Sequence, residues 1–183
     1  MKIKLVCGVF FVLFYCSVQS SAQDKNLKII LIRHAEKPAI GNNLTCQGFN
    51  RASQLPDVLV KRFGIPKYSY VPNLNTGDGT KRARAFQTLI PFAVKYNLDI
   101  NTSFDVEDAS DLAKNVLKQK GLVLICWEHH SIKKIVQSLG VKAHKTDWAD
   151  QDYGSIYVIT YNKGKASLTV EQENLKPAKG CAF

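Results

Sequence analysis

Two apolar runs of this sequence end in clusters that carry imidazoles. The first reads Leu31-Ile32-Arg33-His34-Ala35-Glu36-Lys37 and the second Ile125-Cys126-Trp127-Glu128-His129-His130. Runs of this length and composition read as strands buried on both faces, so each histidine is delivered to a strand end. In an open parallel sheet, ligands sit off the carboxyl ends of the strands. Arg33 adds a permanent planar cation beside His34. A helix beginning near Arg82 brings Arg84 to the same edge, with backbone N–H groups pointing the same way. Two imidazoles and two guanidiniums on one rim suit a dianionic phosphoryl group. One neutral histidine can attack phosphorus while the cations spread the charge that develops on the equatorial oxygens. Zinc is the competing chemistry, but there is no HExxH and no paired CxxC, with only His129 and His130 adjacent.

The elements that must position these groups alternate between strand and helix. Residues 27–32 read as a buried strand. Residues 45–63 place Phe49, Ala52, Leu55, Leu59 and Phe63 at helical spacing, with a bend or restart expected at Pro56. A short strand at 68–71 and a helix over 82–96 follow, the latter containing Pro91. A short extended piece lies around 99–100, a helix over 106–119, a buried strand over 121–127, and a helix over 130–139 closed by Gly140. Residues 155–161 and 166–171 read as an antiparallel hairpin around Asn162-Lys163-Gly164. The pattern predicts an α/β fold: a three-layer α/β/α sandwich with a mostly parallel central sheet and a C-terminal antiparallel hairpin.

Composition bounds the setting. The chain has 183 residues, a formal net charge of +10 and five cysteines, which fits one domain and excludes a disordered chain. Lys2 and Lys4, the apolar run 5–18 and then Ser20, Ser21 and Ala22 read as a signal peptide over 1–22, leaving one domain over 23–183. The protein is therefore expected to be exported, to the bacterial periplasm or beyond, with no stable membrane span once the signal is cleaved. Cys7 and Cys16 leave with the signal. Of the remaining three, Cys126 reads as an inert core thiol, and Cys46 with Cys181 is the one pairing to consider. No nucleic-acid motif accompanies the positive charge. His144 reads as an exposed loop residue.

The ordered set of motifs resembles the histidine phosphatase superfamily that includes the phosphoglycerate mutases, in its short first branch. Arg33-His34-Ala35-Glu36 is similar to that family's RHGE signature, with Ala35 in place of Gly. Leu44-Thr45-Cys46-Gln47-Gly48-Phe49-Asn50-Arg51-Ala52 resembles its LTxxGxxRA helix start, and Arg84-Ala85-Phe86-Gln87-Thr88 its RAxQT segment. Glu128-His129 stands where the family has its second histidine, a position usually preceded by Ser or Gly. The resemblance implies His34 as nucleophile, forming a phosphohistidine that water hydrolyses, with Arg33, Arg84 and His129 completing the phosphate pocket and with no metal or organic cofactor. Ala35 is tolerated only where the local φ is negative.

The resemblance also implies a proton donor after the RAxQT helix, which points to Asp105, Glu107 or Asp108. Asp105 is the first choice, with Glu128 and Glu36 behind it. Lys37 and Arg82 are candidate contacts for the rest of the substrate. The expected activity is an exported, metal-independent phosphoric monoester hydrolase acting on a small or envelope-linked phosphorylated substrate. The alternative is a non-catalytic phosphate-binding module on the same fold.

Overall fold

A strand whose residues are nearly all apolar must be covered on both faces, and β1 (Lys28–Arg33) is covered in that way. Ile29 and Leu31 join one hydrophobic cluster, while Ile30 and Ile32 join the other. The computed structural model of the chain describes residues 26–75, 77, 81–142 and 147–181. The segment 1–22 assigned to export and His144 lie outside them.

Along the chain, α1 (Cys46–Phe63), β2 (Tyr68–Pro72), α2 (Ala83–Tyr96), β3 (Ile100–Phe104), α3 (Ala109–Val116), β4 (Leu122–Trp127), α4 (His129–Ser138), β5 (Ser155–Asn162) and β6 (Lys165–Gln172) follow β1. The sheet order is β3-β2-β4-β1-β5-β6. The strands β3, β2, β4 and β1 run parallel, β5 is antiparallel to β1, and β6 pairs antiparallel with β5. Leu55 and Leu59 of α1 and Leu89 and Phe92 of α2 pack on the face of Ile30 and Ile32. Leu112 of α3 and Ile132 and Ile135 of α4 pack on the face of Ile29 and Leu31. This is the three-layer sandwich that the alternation of elements predicts. Cys126 is fully buried, and burial pushes its thiol well above the ordinary range.

The differences are local. Of the bend or restart expected at Pro56, the restart is absent, and α1 runs through it as one helix. The helix expected over 106–119 is regular only over Ala109–Val116. Asp105 and Asp108 close a turn before it, Asp108 N donating to Asp105 O (3.0 Å) and Asp105 N to Asp108 Oδ2 (3.0 Å). The extended piece around 99–100 is a full edge strand, β3, whose Asn101, Thr102 and Ser103 hide it from a hydrophobicity reading. The hairpin turn has positive φ at both Lys163 (50°) and Gly164 (76°), the geometry that matches strand twist in a two-residue loop.

After β6 the chain doubles back along α1. Cys181 is disulfide-bonded to Cys46, and Asn50 Nδ2 donates to the carbonyls of Ala178 (2.9 Å) and Gly180 (2.6 Å). Arg51 pairs with the buried Glu173 (2.6 Å), and Arg62 donates to the carbonyls of Gln172 (2.6 Å) and Glu173 (3.2 Å). A bridge across 135 positions restricts most of the unfolded chain. Cys181→Ser should therefore lower the unfolding free energy by about 2–4 kcal/mol in non-reducing denaturant titrations. An unchanged midpoint and slope would show that the strap adds nothing to stability.

Candidate active site

Parallel pairing sets β1 and β4 with Arg33 opposite Trp127, and the next rung is the bond from His34 N to Trp127 O (3.0 Å). The two strand ends therefore stop together, with His34 on one and His129 just beyond the other. His34 is 2% exposed. Its Nδ1 lies 2.7 Å from the Ala35 carbonyl oxygen. A carbonyl only accepts, so Nδ1 carries the proton and Nε2 carries the free lone pair. Burial, with the nearby charges of Arg33, Arg84 and His129, pushes the imidazole down to about 4 against the pull of the Ala35 bond. His34 is thus neutral and nucleophilic at Nε2 through the physiological range.

Arg33 is also 2% exposed. Its Nη1 donates to the carbonyls of Ala149 (3.3 Å), Asp150 (2.7 Å) and Asp152 (3.1 Å), and the Tyr153 ring lies 4.0 Å from the guanidinium carbon. Arg84, in the first turn of α2, donates from Nη2 to the Gly41 carbonyl. Thr88 locks that helix start to the end of β1, accepting from Ala35 N (3.0 Å) and donating to Arg84 O (2.8 Å). His129 meets the Asp150 carboxylate through Nε2 (2.8 Å), and burial, its largest influence, lowers its pKa. Among the described residues, Arg33 Nε, Arg84 Nε and His129 Nδ1 are buried and have no hydrogen-bond partner. A buried polar group left unpaired costs about 1–3 kcal/mol. Against a typical net stability of about 5–15 kcal/mol, three on one rim are a heavy load unless an anion meets them.

The LTxxGxxRA segment holds the other side of this turn. Thr45 caps α1, its Oγ1 accepting from Gly48 N (3.0 Å), while Thr45 N donates to Glu36 O (2.9 Å). A Cβ on Gly48 would stand 2.3 Å from Glu36 O, so only glycine lets α1 approach the β1 turn this closely. Arg51 then grips the Glu36 carboxylate through Nε (3.1 and 3.0 Å) and Nη2 (2.8 Å). Ala35 is fully buried and is not among the described non-glycine residues with positive φ, which meets the condition for replacing glycine there.

The remaining sequence candidates are placed differently. Asp105 follows β3, which β2 and β4 separate from β1, roughly 14 Å at ~4.8 Å per strand. It is ion-paired to Arg82, which holds its carboxyl below the ordinary range. Asp105 and Arg82 are thus occupied by each other. Glu107 pairs with Lys134 (3.1 Å), Asp108 accepts from Asp105 N, and Glu36 belongs to Arg51. Glu128, next to His129, has His130 Nε2 at 3.4 Å. Lys37 is exposed on the loop after β1. Among the described residues, no group of three or more His, Cys, Asp or Glu is placed to hold a metal ion, and no helix is long and apolar enough to cross a membrane.

Sequence reasoning missed Ala149, Asp150, Asp152 and Tyr153. Their signal lies in topology: β5 is antiparallel beside β1, with Ile156 opposite Ile32, so the chain entering β5 must pass the carboxyl end of β1. Asp152 shapes that entry, its carboxylate accepting from Gly154 N (3.0 Å), Ser155 N (3.0 Å) and Ser155 Oγ (2.5 Å).

No protein-family model and no curated protein matches this sequence. Solved structures do. The protein histidine phosphatase SixA, solved with tungstate, superposes with a TM-score of 0.59 at 15% identity, covering 80% of this chain and 97% of its own. A phosphoserine phosphatase from Entamoeba histolytica, solved with phosphoserine, gives 0.56 at 14% identity, covering 81% of this chain and 97% of its own. A putative alpha-ribazole-5'-P phosphatase from Escherichia coli gives 0.56 at 14% identity over 86% of this chain and 98% of its own. At such identities the likeness is one of architecture, and the architecture of this chain is the histidine phosphatase fold.

Proposed function

We propose that this protein is an exported, metal-independent phosphomonoesterase that works through a phosphohistidine on His34. The observation that carries this reading is the set of buried, unpartnered nitrogens on Arg33, Arg84 and His129 around a neutral, buried His34. Export is supported by the N-terminal sequence and by the Cys46–Cys181 disulfide, a bond that persists in oxidising compartments. The solved neighbours include phosphatases captured with tungstate and with phosphoserine, which fits a phosphoryl group as the ligand here.

In the first step the lone pair on His34 Nε2 attacks phosphorus, a P–N bond forms and the P–O bond to the leaving group breaks. The Ala35 carbonyl accepts from Nδ1–H and stabilises the cationic phosphoimidazole. The orphaned Nε–H groups of Arg33 and Arg84 meet the equatorial oxygens, where charge accumulates. In the second step water attacks phosphorus and its proton passes to an outgoing phosphate oxygen, the P–N bond breaks, and Nε2 regains its lone pair as phosphate leaves. The leaving oxygen takes its proton from Glu128, the one of the five candidate carboxyls that adjoins the pocket histidine.

Three outcomes test this reading. In excess chelator, the protein should hydrolyse p-nitrophenyl phosphate and form an acid-labile, base-stable phosphoenzyme in rapid-quench labelling, and His34→Ala should lose both by at least about 1000-fold. Full turnover by His34→Ala would overturn the assignment. Protonation of His34 blocks attack, so kcat/KM should fall as pH drops through about 4 and stay free of this limb above it. An acid limb centred near 6.5 would mean that His34 is not buried as described. Glu128→Gln should slow alkyl phosphates by about 100-fold while sparing p-nitrophenyl phosphate, whose phenolate needs little protonation. Equal losses on both substrates would assign Glu128 a structural role instead.

A further inference from the structure

The segment that leads into β5 contacts both ends of the candidate phosphate pocket. Backbone carbonyls of Ala149, Asp150 and Asp152 hold Arg33, and the Asp150 side chain holds His129. We propose that Asp150 is the positioning residue of His129: its carboxylate fixes the ring as the Nε2–H tautomer, leaves Nδ1 inward for the phosphate, and favours the imidazolium once phosphate is bound. The role in turnover rests on the phosphatase reading of the site; the tautomer and charge of His129 do not.

The geometry leaves one assignment of the ring proton. Asp150 Oδ1 stands 2.8 Å from Nε2 and a carboxylate only accepts, so Nε2 carries hydrogen. Nδ1 is the buried nitrogen and has no partner among the described residues. Neutral, that nitrogen turns a lone pair inward, where it would repel a phosphate oxygen; protonated, it becomes a donor to it. The charged or titratable groups around His129 are Asp150 from the β5 entry, Arg33 from the end of β1, His34 beyond it, His130 on its own helix and Glu128, the residue before it. Arg33 and the neighbouring imidazoles oppose a positive ring, and so does burial. Asp150 favours it and is the carboxylate bonded to the ring. The pocket therefore presents a neutral His129 until a dianion arrives, and Asp150 lowers the cost of the proton that the ring then takes up.

Asp150 is 85% exposed through its side chain, and its grip on Arg33 is through the backbone, so substitutions should leave the fold intact. Asp150→Asn keeps an acceptor for Nε2–H and removes only the charge. Asp150→Ala removes both. Ring 15N NMR of the purified protein, titrated over pH with and without inorganic phosphate, should show the Nε2–H tautomer in the unsubstituted protein. The His129 midpoint should fall by about 0.5–1 on the pH scale in Asp150→Asn, and the single tautomer should be lost in Asp150→Ala. Phosphate should raise the midpoint in the unsubstituted protein. On p-nitrophenyl phosphate, the descending limb of kcat/KM should move to lower pH in Asp150→Asn by the same amount. An identical tautomer and midpoint in all three proteins would overturn the proposal. If the NMR shifts appear and the unsubstituted protein lacks turnover, the phosphatase reading fails while the role of Asp150 in setting His129 stands.

Discussion

The rung from His34 N to Trp127 O fixes the rest of the site. It is the last hydrogen bond between β1 and β4, and it makes two strand ends from opposite halves of the sequence stop at one place. Parallel pairing cannot be made by a tight turn and needs helical crossovers on the sheet faces. The core that covers Ile29, Ile30, Leu31 and Ile32 on both faces is therefore what holds His34 beside the segment bearing His129. A slip of one residue along that ladder would send Arg33 and His34 to exchanged faces and dismantle the pocket.

Burial then does two opposing things. It keeps His34 neutral, with the Ala35 carbonyl choosing which nitrogen is free. It also strands Arg33 Nε, Arg84 Nε and His129 Nδ1 without partners among the described residues. A fold tolerates such groups where a ligand satisfies them, since binding then recovers what the free protein lacks. Arg33 shows how the rest of the cost is contained. Its Nη1 and aromatic face are fully engaged by the β5 entry, so the guanidinium is rigid before any ligand arrives, and little ordering remains to oppose binding.

Much of this was legible in the sequence because the signals are local. Apolar runs of strand length marked β1 and β4, helical spacing marked α1 and α2, and the residues at their ends named His34, His129, Arg33 and Arg84. Gly48 belonged to a motif whose reason, a close approach to Glu36 O, needed coordinates. What stayed hidden depends on long-range placement. Asp105 satisfied an order along the chain, yet two strands lie between β3 and β1, and its carboxyl is taken by Arg82. Asp150 and Tyr153 sat in a polar stretch with no periodicity, and only the antiparallel docking of β5 beside β1 brings them to the pocket. Polar β3 was hidden because Asn101, Thr102 and Ser103 break its apolar pattern, whereas the Cys46–Cys181 pairing of the C-terminal strap was legible and only its bonds to Asn50 and Arg62 were not.

In the proposed phosphatase, the stranded nitrogens of Arg33 and Arg84 converge on a phosphoryl group. Arginine side-chain 15Nε–1H NMR during titration with inorganic phosphate tests it without depending on turnover or on substrate identity. The Arg33 and Arg84 Nε–H resonances should shift downfield together and saturate with a single affinity, while that of Arg51, already bonded to Glu36, stays in place. Phosphate that leaves both resonances unmoved, or that shifts only surface arginines such as Arg62, would contradict it.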